Sequence, residues 1–167
     1  MSLNVAAASA IRVRPGTRAD IAFVFEGIRA LADFEKLEHL FEGSEEALGE
    51  HLFGARPSCE LLIAEADGER GGYALFFTSY STFLTRPGIF LEDLFVVTDR
   101  RGRGLGKALL VELAGLAVAR GCGRLEWSVL DWNTRAIRFY DAMGATPVSG
   151  WIPYRVEGDS LAALARR

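Results

Sequence analysis

Cysteine and histidine are scarce: the 167 residues contain two of each, Cys59, Cys122, His39 and His51. The cysteines lie far apart, and the histidines occupy a region separate from both. Count alone excludes a disulfide framework, and no metal-type spacing is present, so no metal is expected. Sparse cysteine fits a reducing, cytoplasmic setting. Long apolar runs are also missing. None approaches the ~20 residues that a membrane span requires, so no membrane partner is expected. Neither sign of charge dominates, with 19 basic residues against 22 acidic and a net charge of −3. That balance argues against nucleic-acid binding through bulk electrostatics. The opening MSLNVAAASA lacks a basic n-region and a strong apolar core, so it does not read as a signal peptide. Residues 1–10 are expected to form a disordered tail. Internal repeats and low-complexity stretches are absent as well.

What is present is ordinary globular composition, half apolar and a quarter charged, in a length that suits one domain. A chain of this size can bury roughly 70% of the surface it exposes when unfolded. Ile11 to Arg14 alternates as a short strand, and Thr17 is placed to cap a helix running to about Ala32. A polar bend over Asp33, Phe34, Glu35 and Lys36 follows. Ser44 then opens a second helix to about Phe53. Residues 60–66 and 72–80 read as strands around an Asp67-Gly68 turn. Ile89 to Val97 is nearly all apolar and therefore central in a sheet. A long helix covers Leu105 to Arg120, and a strand covers Arg124 to Leu130. Asn133 or Thr134 caps a helix to Met143. Residues 146–156 are expected to hold two short strands, or one broken by Gly150, and a short helix or tail occupies 158–167. The order implies a mixed α/β sheet in one domain.

Arg101-Gly102-Arg103-Gly104-Leu105-Gly106-Lys107 joins the buried strand to the long helix. Such a loop offers consecutive backbone N–H groups and the positive end of a helix dipole, which suits a phosphate or pyrophosphate. It is not a Walker loop, because Arg101 stands where the first glycine belongs and Ala108 where Ser or Thr belongs. It is not a dinucleotide fingerprint, because Lys107 occupies the third glycine position. Taken alone, it is also compatible with a plain glycine-rich turn.

Arg101-Gly102-x-Gly104-x-Gly106, between a strand and a helix, resembles the acetyl-CoA loop of the GNAT N-acetyltransferases. Trp132-Asn133-Thr134, Phe139-Tyr140 and Gly144-Ala145 match the later part of that family pattern. Phe90-Leu91-Glu92-Asp93-Leu94-Phe95-Val96 and Ala32-Asp33-Phe34-Glu35 are similar to the spermidine/spermine and thialysine acetyltransferase branch. The resemblance covers Ile11 to Val156. It implies an N-acetyltransferase domain over 11–157 with a mostly antiparallel sheet flanked by helices and a splayed central strand pair. The cofactor implied is acetyl-CoA, acting as co-substrate, and the assembly implied is a homodimer. Leu94, Phe95 and Val96 would offer backbone groups to the pantetheine arm, and residues Arg101, Gly102, Arg103, Gly104, Leu105, Gly106 and Lys107 would hold the pyrophosphate. Asn133, with Arg135 and Ala136 on the same helix start, would contact the cofactor. Tyr140 would act as general acid on the leaving thiolate, although on sequence alone it also reads as a core aromatic. The residues implied around the substrate are Phe34, Glu35, Glu92, Asp93, Glu126, Trp127 and Ser128. Phe34 departs from the pattern, since relatives often carry tyrosine there.

Glu92 and Asp93 interrupt an apolar strand, and strand geometry sends adjacent side chains to opposite faces. Acids in such a place need an arginine, a wet cleft or a cationic ligand. For Asp93 an ion pair and a ligand role stand level; for Glu92 the branch implies a role at the substrate. An alkylammonium has a pKa near ~10.4, so presenting it as a neutral nucleophile at pH 7 costs roughly 4.6 kcal/mol. Carboxylates are then most useful around distal cationic groups, with Glu92 reaching the reacting amine through water. Direct attack needs no covalent enzyme intermediate, so Cys59 and Cys122 are expected to be packing residues. The function expected is acetyl transfer to a primary amine of a small molecule: a polyamine, a diamine or a thialysine-like amino acid. The alternatives are a protein N-terminal or lysine acetyltransferase on the same fold, and a binding module without turnover.

Overall fold

The computed structural model describes residues 10–167, so nearly all of the tail expected over 1–10 lies outside the described residues. Five strands form one sheet in the order β1 (Ile11–Pro15), β2 (Glu60–Ala66), β3 (Glu69–Ser81), β4 (Arg86–Val96) and β5 (Leu125–Trp127). The first three pairings are antiparallel, while β4 and β5 are parallel. A parallel pair needs a crossover, and α3 (Leu105–Ala119) supplies it. The β2–β3 hairpin turns on Asp67 and Gly68 as expected, with φ of 56° and 80°. Positive φ at both positions matches the twist of the flanking strands. β3 begins earlier than expected, so Gly71 and Gly72 lie inside it. A Cβ on Gly72 would come within 2.5 Å of the Phe95 carbonyl oxygen, which explains glycine there.

Period-two alternation divides the apolar residues between the two sheet faces. Leu61, Ile63, Tyr73, Leu75 and Phe95 pack with Val24 of α1 (Ile21–Glu35) and Leu52 of α2 (Glu45–Phe53). The opposite face carries Leu62, Ala64, Ala74, Phe76, Ile89 and Leu91, all buried, and α3 packs across the sheet with Leu105, Leu109 and Leu113 buried. Burying each such leucine fully stabilises the fold by about 1.5–3 kcal/mol.

The start of α1 is fixed by a buried carboxylate. Asp20 is 1% exposed and accepts from Arg14 at 2.8 and 2.9 Å, from the Thr17 N–H at 2.8 Å and from the Thr17 hydroxyl at 3.0 Å. Arg70 Nε also lies 3.1 Å from the Asp20 Oδ1. The Arg14 hydrogen bonds outweigh the burial penalty and hold the Asp20 carboxyl at about 2. Halfway along α1, a Cβ on Gly27 would sit 2.5 Å from the Tyr73 ring, so glycine lets the helix settle onto the sheet.

Two expectations are corrected. The bend expected over residues 33–36 is helical to Glu35, and Lys36 closes α1 at φ 60°. Phe34 and Glu35 therefore stand on the last helical turn. The strands expected within residues 146–156 are absent, and that stretch carries no regular structure. A strand requires a hydrogen-bonded neighbour, and among the described residues none pairs with this segment.

Residues Val129–Arg167 form a second compact unit. It contains α4 (Thr134–Ala142) and α5 (Gly158–Leu164), the latter where a short helix or tail was expected. The Asn133 side chain caps α4 by accepting from the Ala136 N–H at 3.2 Å.

Candidate active site

The chemistry centres on a β-bulge. Leu75 pairs with Asp93 and Phe76 with Leu91, leaving Glu92 as the extra residue of β4. A bulge turns two consecutive side chains to the same side, so Glu92 and Asp93 both face α1. This corrects the expectation that they point apart. Among the described residues Asp93 pairs with no arginine; the Tyr73 hydroxyl, 3.5 Å away, donates to it. Burial first, then the like charges of Glu92 and Glu35, push the Asp93 carboxyl up to about 6, against the smaller opposing effect of Tyr73. Burial also raises Glu35, at the end of α1. Among the described residues, none of these three carboxylates takes part in an ion pair.

One row further along the same face, the pairings set Phe77 beside Phe90 and Phe90 beside Glu126. The Phe77 and Phe90 rings stack at 5.2 Å. A cavity of about 340 Å³ opens next to them, lined by Pro57, Ser58, Cys59, Glu60, Phe77 and Thr78. The Cys59 thiol is raised by burial, then by Glu60 and Glu92, so it is a poor nucleophile at neutral pH. Glu126 is ion-paired with Arg124 at 2.6 Å. Trp127 pairs with Leu91 and so shares the α3 side of the sheet. It thus lies on the face opposite Glu92, Asp93 and Glu126, with which it was grouped as substrate-lining.

β5 pairs with β4 only from Ile89 to Leu91, and β4 runs on to Val96 with no neighbour on that edge among the described residues. The Val97 N–H donates to the Gly71 carbonyl at 2.9 Å. By antiparallel alternation, Phe95 therefore forms the hydrogen-bonded type of pair with Tyr73, while Leu94 and Val96 turn their N–H and C=O groups to the open edge. Arg101 folds back, its Nε donating to the Val96 carbonyl at 3.0 Å.

The glycine loop lies at the far end of β4. Gly102 and Gly104 have φ of 80° and 93°, conformations open to glycine at little cost. The first helical bond of α3 runs from the Ala108 N–H to Gly104, which leaves the N–H groups of Leu105, Gly106 and Lys107 without helical partners. Leu105 anchors the loop with a buried side chain. Arg103 is held by Asp67 at 2.7 Å, while Lys107 is exposed. These features fit a pyrophosphate and a pantetheine-like arm: a concave run of N–H donors, then a strand edge that lacks a partner.

In the second unit, Asn133 and Tyr140 fall seven residues apart on one face of α4. The Asn133 carbonyl oxygen is engaged as the cap. Burial raises the Tyr140 hydroxyl above its ordinary range, which keeps it protonated at neutral pH. Arg135 is exposed and Ala136 half-buried. Sequence reasoning missed Tyr73 as the partner of Asp93, the Phe77–Phe90 stack and Arg124. All three depend on cross-strand register, which leaves no local signal.

A bulged strand that opens away from its parallel neighbour, with a helix start poised for phosphate at one end, defines an α/β enzyme of the acyl-transfer class. The chain belongs to the acetyltransferase (GNAT) family, whose pattern matches residues 28–145. It is 38% identical to the thialysine N-epsilon-acetyltransferase of Mus musculus, over 93% of this chain and 98% of that one. Identity to the L-ornithine N5-acetyltransferase of Arabidopsis thaliana is 33%, covering 92% and 87% respectively. An aminoglycoside N-acetyltransferase solved in complex with CoA superposes with a TM-score of 0.73 at 22% identity, over 92% of this chain and 99% of that one, a likeness of fold.

Proposed function

We propose that this enzyme transfers the acetyl group of acetyl-CoA to a primary amine of a small molecule, drawn from the diamines, polyamines and diamino acids. The carrying observation is the cluster of Glu92 and Asp93 at the β4 bulge with Glu35 at the end of α1, three carboxylates with no ion pair among the described residues. A half-buried acid such as Asp93, held without a counter-charge, is disfavoured in its ionised form, so its retention is accounted for by a cationic ligand. The names of the thialysine and ornithine acetyltransferase relatives support the same substrate class.

Acetyl-CoA, when bound, supplies the activated thioester. The residues present suit it: the N–H groups of Leu105, Gly106 and Lys107 would take the pyrophosphate, and the open edge at Leu94 and Val96 would take the amide arm. Asp93 and Glu35 would hold the acceptor's cationic groups. Glu92, the exposed member at the bulge, would draw the proton from the reacting ammonium through water. Tyr140 would donate the proton that the departing thiolate requires.

A cytoplasmic location accords with two free cysteines. A homodimer is supported by the exposed apolar side chains Trp151, Ile152 and Tyr154, at 76, 77 and 92%. The test is an amine panel assayed by thiol release from acetyl-CoA, with peptides bearing free N-termini or lysines as a second panel. Turnover restricted to the peptides would overturn the proposal.

A further inference from the structure

Arg124, just before β5, and Glu126 within it are paired on the side of the sheet that carries Phe90, and their ion pair has a structural seat. Gly88 of β4 lies beneath it: a Cβ at that position would come within 3.2 Å of the Arg124 Cγ and 2.7 Å of the Ser79 hydroxyl. With no side chain at Gly88, the Arg124 stem crosses β4, and its Nε reaches the Glu126 carboxylate at 2.6 Å. The two side chains are 39% and 32% exposed, accessible yet partly walled by protein. Nε is one of five guanidinium donors, so the remaining four, with the second Glu126 oxygen, are left for a ligand. Among the described residues, neither charged group has another hydrogen bond or ion pair.

An ammonium acceptor beside a guanidinium donor mirrors an α-amino acid head group, which carries a carboxylate beside an ammonium. The spacing also fits. Glu126 pairs with Phe90, two residues before Glu92 on the same face. Two residues along and one strand across is roughly 8 Å between Cα atoms. A diamino acid places four or five bonds of about 1.5 Å between its terminal amine and its α-carbon, roughly 5–6 Å in extended zigzag. The side chains of Glu92 and of the ion pair span the remainder.

Resting on the proposed function, we infer that Arg124 and Glu126 form a head-group clamp that selects diamino acids over the corresponding diamines. Arg124 binds the α-carboxylate and Glu126 the α-ammonium, with the methylene chain lying over Phe90. A diamine offers no anion to Arg124 and leaves those donors to water.

The experiment compares ornithine, ornithine amide and 1,4-diaminobutane as acceptors in the thiol-release assay. The wild type is expected to favour ornithine over both analogues by about 10- to 100-fold in kcat/KM, the scale of charge-assisted hydrogen bonds to one carboxylate. Arg124→Gln should collapse that ratio toward one, mainly through the KM of ornithine, and Arg124→Lys should restore part of it. Equal losses for all three acceptors would mark Arg124 as merely structural and overturn the clamp. So would a wild type that turns over the diamine as well as ornithine, while leaving the amine acetyltransferase reading intact. A wild type inactive on every amine overturns both. If Arg124→Gln fails to fold, the wild-type comparison of ornithine with its amide decides alone.

Discussion

Replacing Asp93 by asparagine should make the free protein more stable and the enzyme worse. The substitution keeps shape and keeps an oxygen for the Tyr73 hydroxyl, but it removes a charge that burial and two neighbouring carboxylates disfavour. In the folded state the carboxyl is pushed from 3.8 to about 6. Two units at 1.36 kcal/mol each give about 3 kcal/mol. The sign follows from linkage. A raised carboxyl contributes its full stability below pH 3.8, while protonated in both states, and loses it as pH rises through 6. Wild type and Asp93→Asn should therefore be nearly equal near pH 4 and diverge above it. At pH 7.5 the variant should be ahead by up to about 3 kcal/mol, or roughly 6–12 °C in Tm for a chain of this length. Urea unfolding of both proteins without ligand, at half-unit steps from pH 4.5 to 8, measures the gap directly. Turnover of the best amine should fall at the same time, because the acceptor cation loses its buried counter-charge. Two parallel stability curves, or a variant less stable at pH 7.5, would refute the account of Asp93 as a strained, ligand-seeking acid.

Gly104→Val should abolish the thermal shift given by acetyl-CoA, since φ of 93° strains any β-branched residue and its side chain enters the phosphate cradle. In the wild type, ligand at a hundredfold its Kd should add roughly 2.7 kcal/mol, readily seen by scanning fluorimetry. Tyr140→Phe should lower kcat by about 10²–10⁴-fold with little change in acetyl-CoA affinity, as expected of a general acid. Normal turnover by that variant across the pH range would leave water as the proton source. Asp20→Ala should cost about 2–3 kcal/mol in urea unfolding at pH 7, because it removes the acceptor shared by Thr17, Arg14 and Arg70 while Arg14 keeps its pair with Glu65 at 2.7 Å. Because the Asp20 carboxyl is held low, its contribution should persist above pH 3.8 and fade as pH drops toward 2.

Sequence by itself determined the element order as far as α4, the glycine loop between a buried strand and a long helix, and the cap at Ser44, while the cap of α4 stayed open between Asn133 and Thr134. These are local matters of side-chain period, turn chemistry and backbone freedom, legible one window at a time. The end of α1 was not legible, because Asp33 and Phe34 have middling helix preference and the stop at Lys36 is a left-handed backbone turn with no glycine to signal it. Residues 146–156 alternate well enough to read as strand, yet pairing needs a neighbour that sequence cannot name. The bulge is the plainest case. Alternation sends Glu92 and Asp93 to opposite faces, and one unpaired residue, set by register against Leu75 and Phe76, brings both to the same side. The same register puts Glu126 beside Phe90, puts Trp127 on the other face and lays Arg124 across Gly88. Which acids go unpaired, and which find a counter-charge, is decided by contacts between strands far apart in the chain. For that reason tertiary structure alone gathered the carboxylates into one group and left Asp93 without a cation.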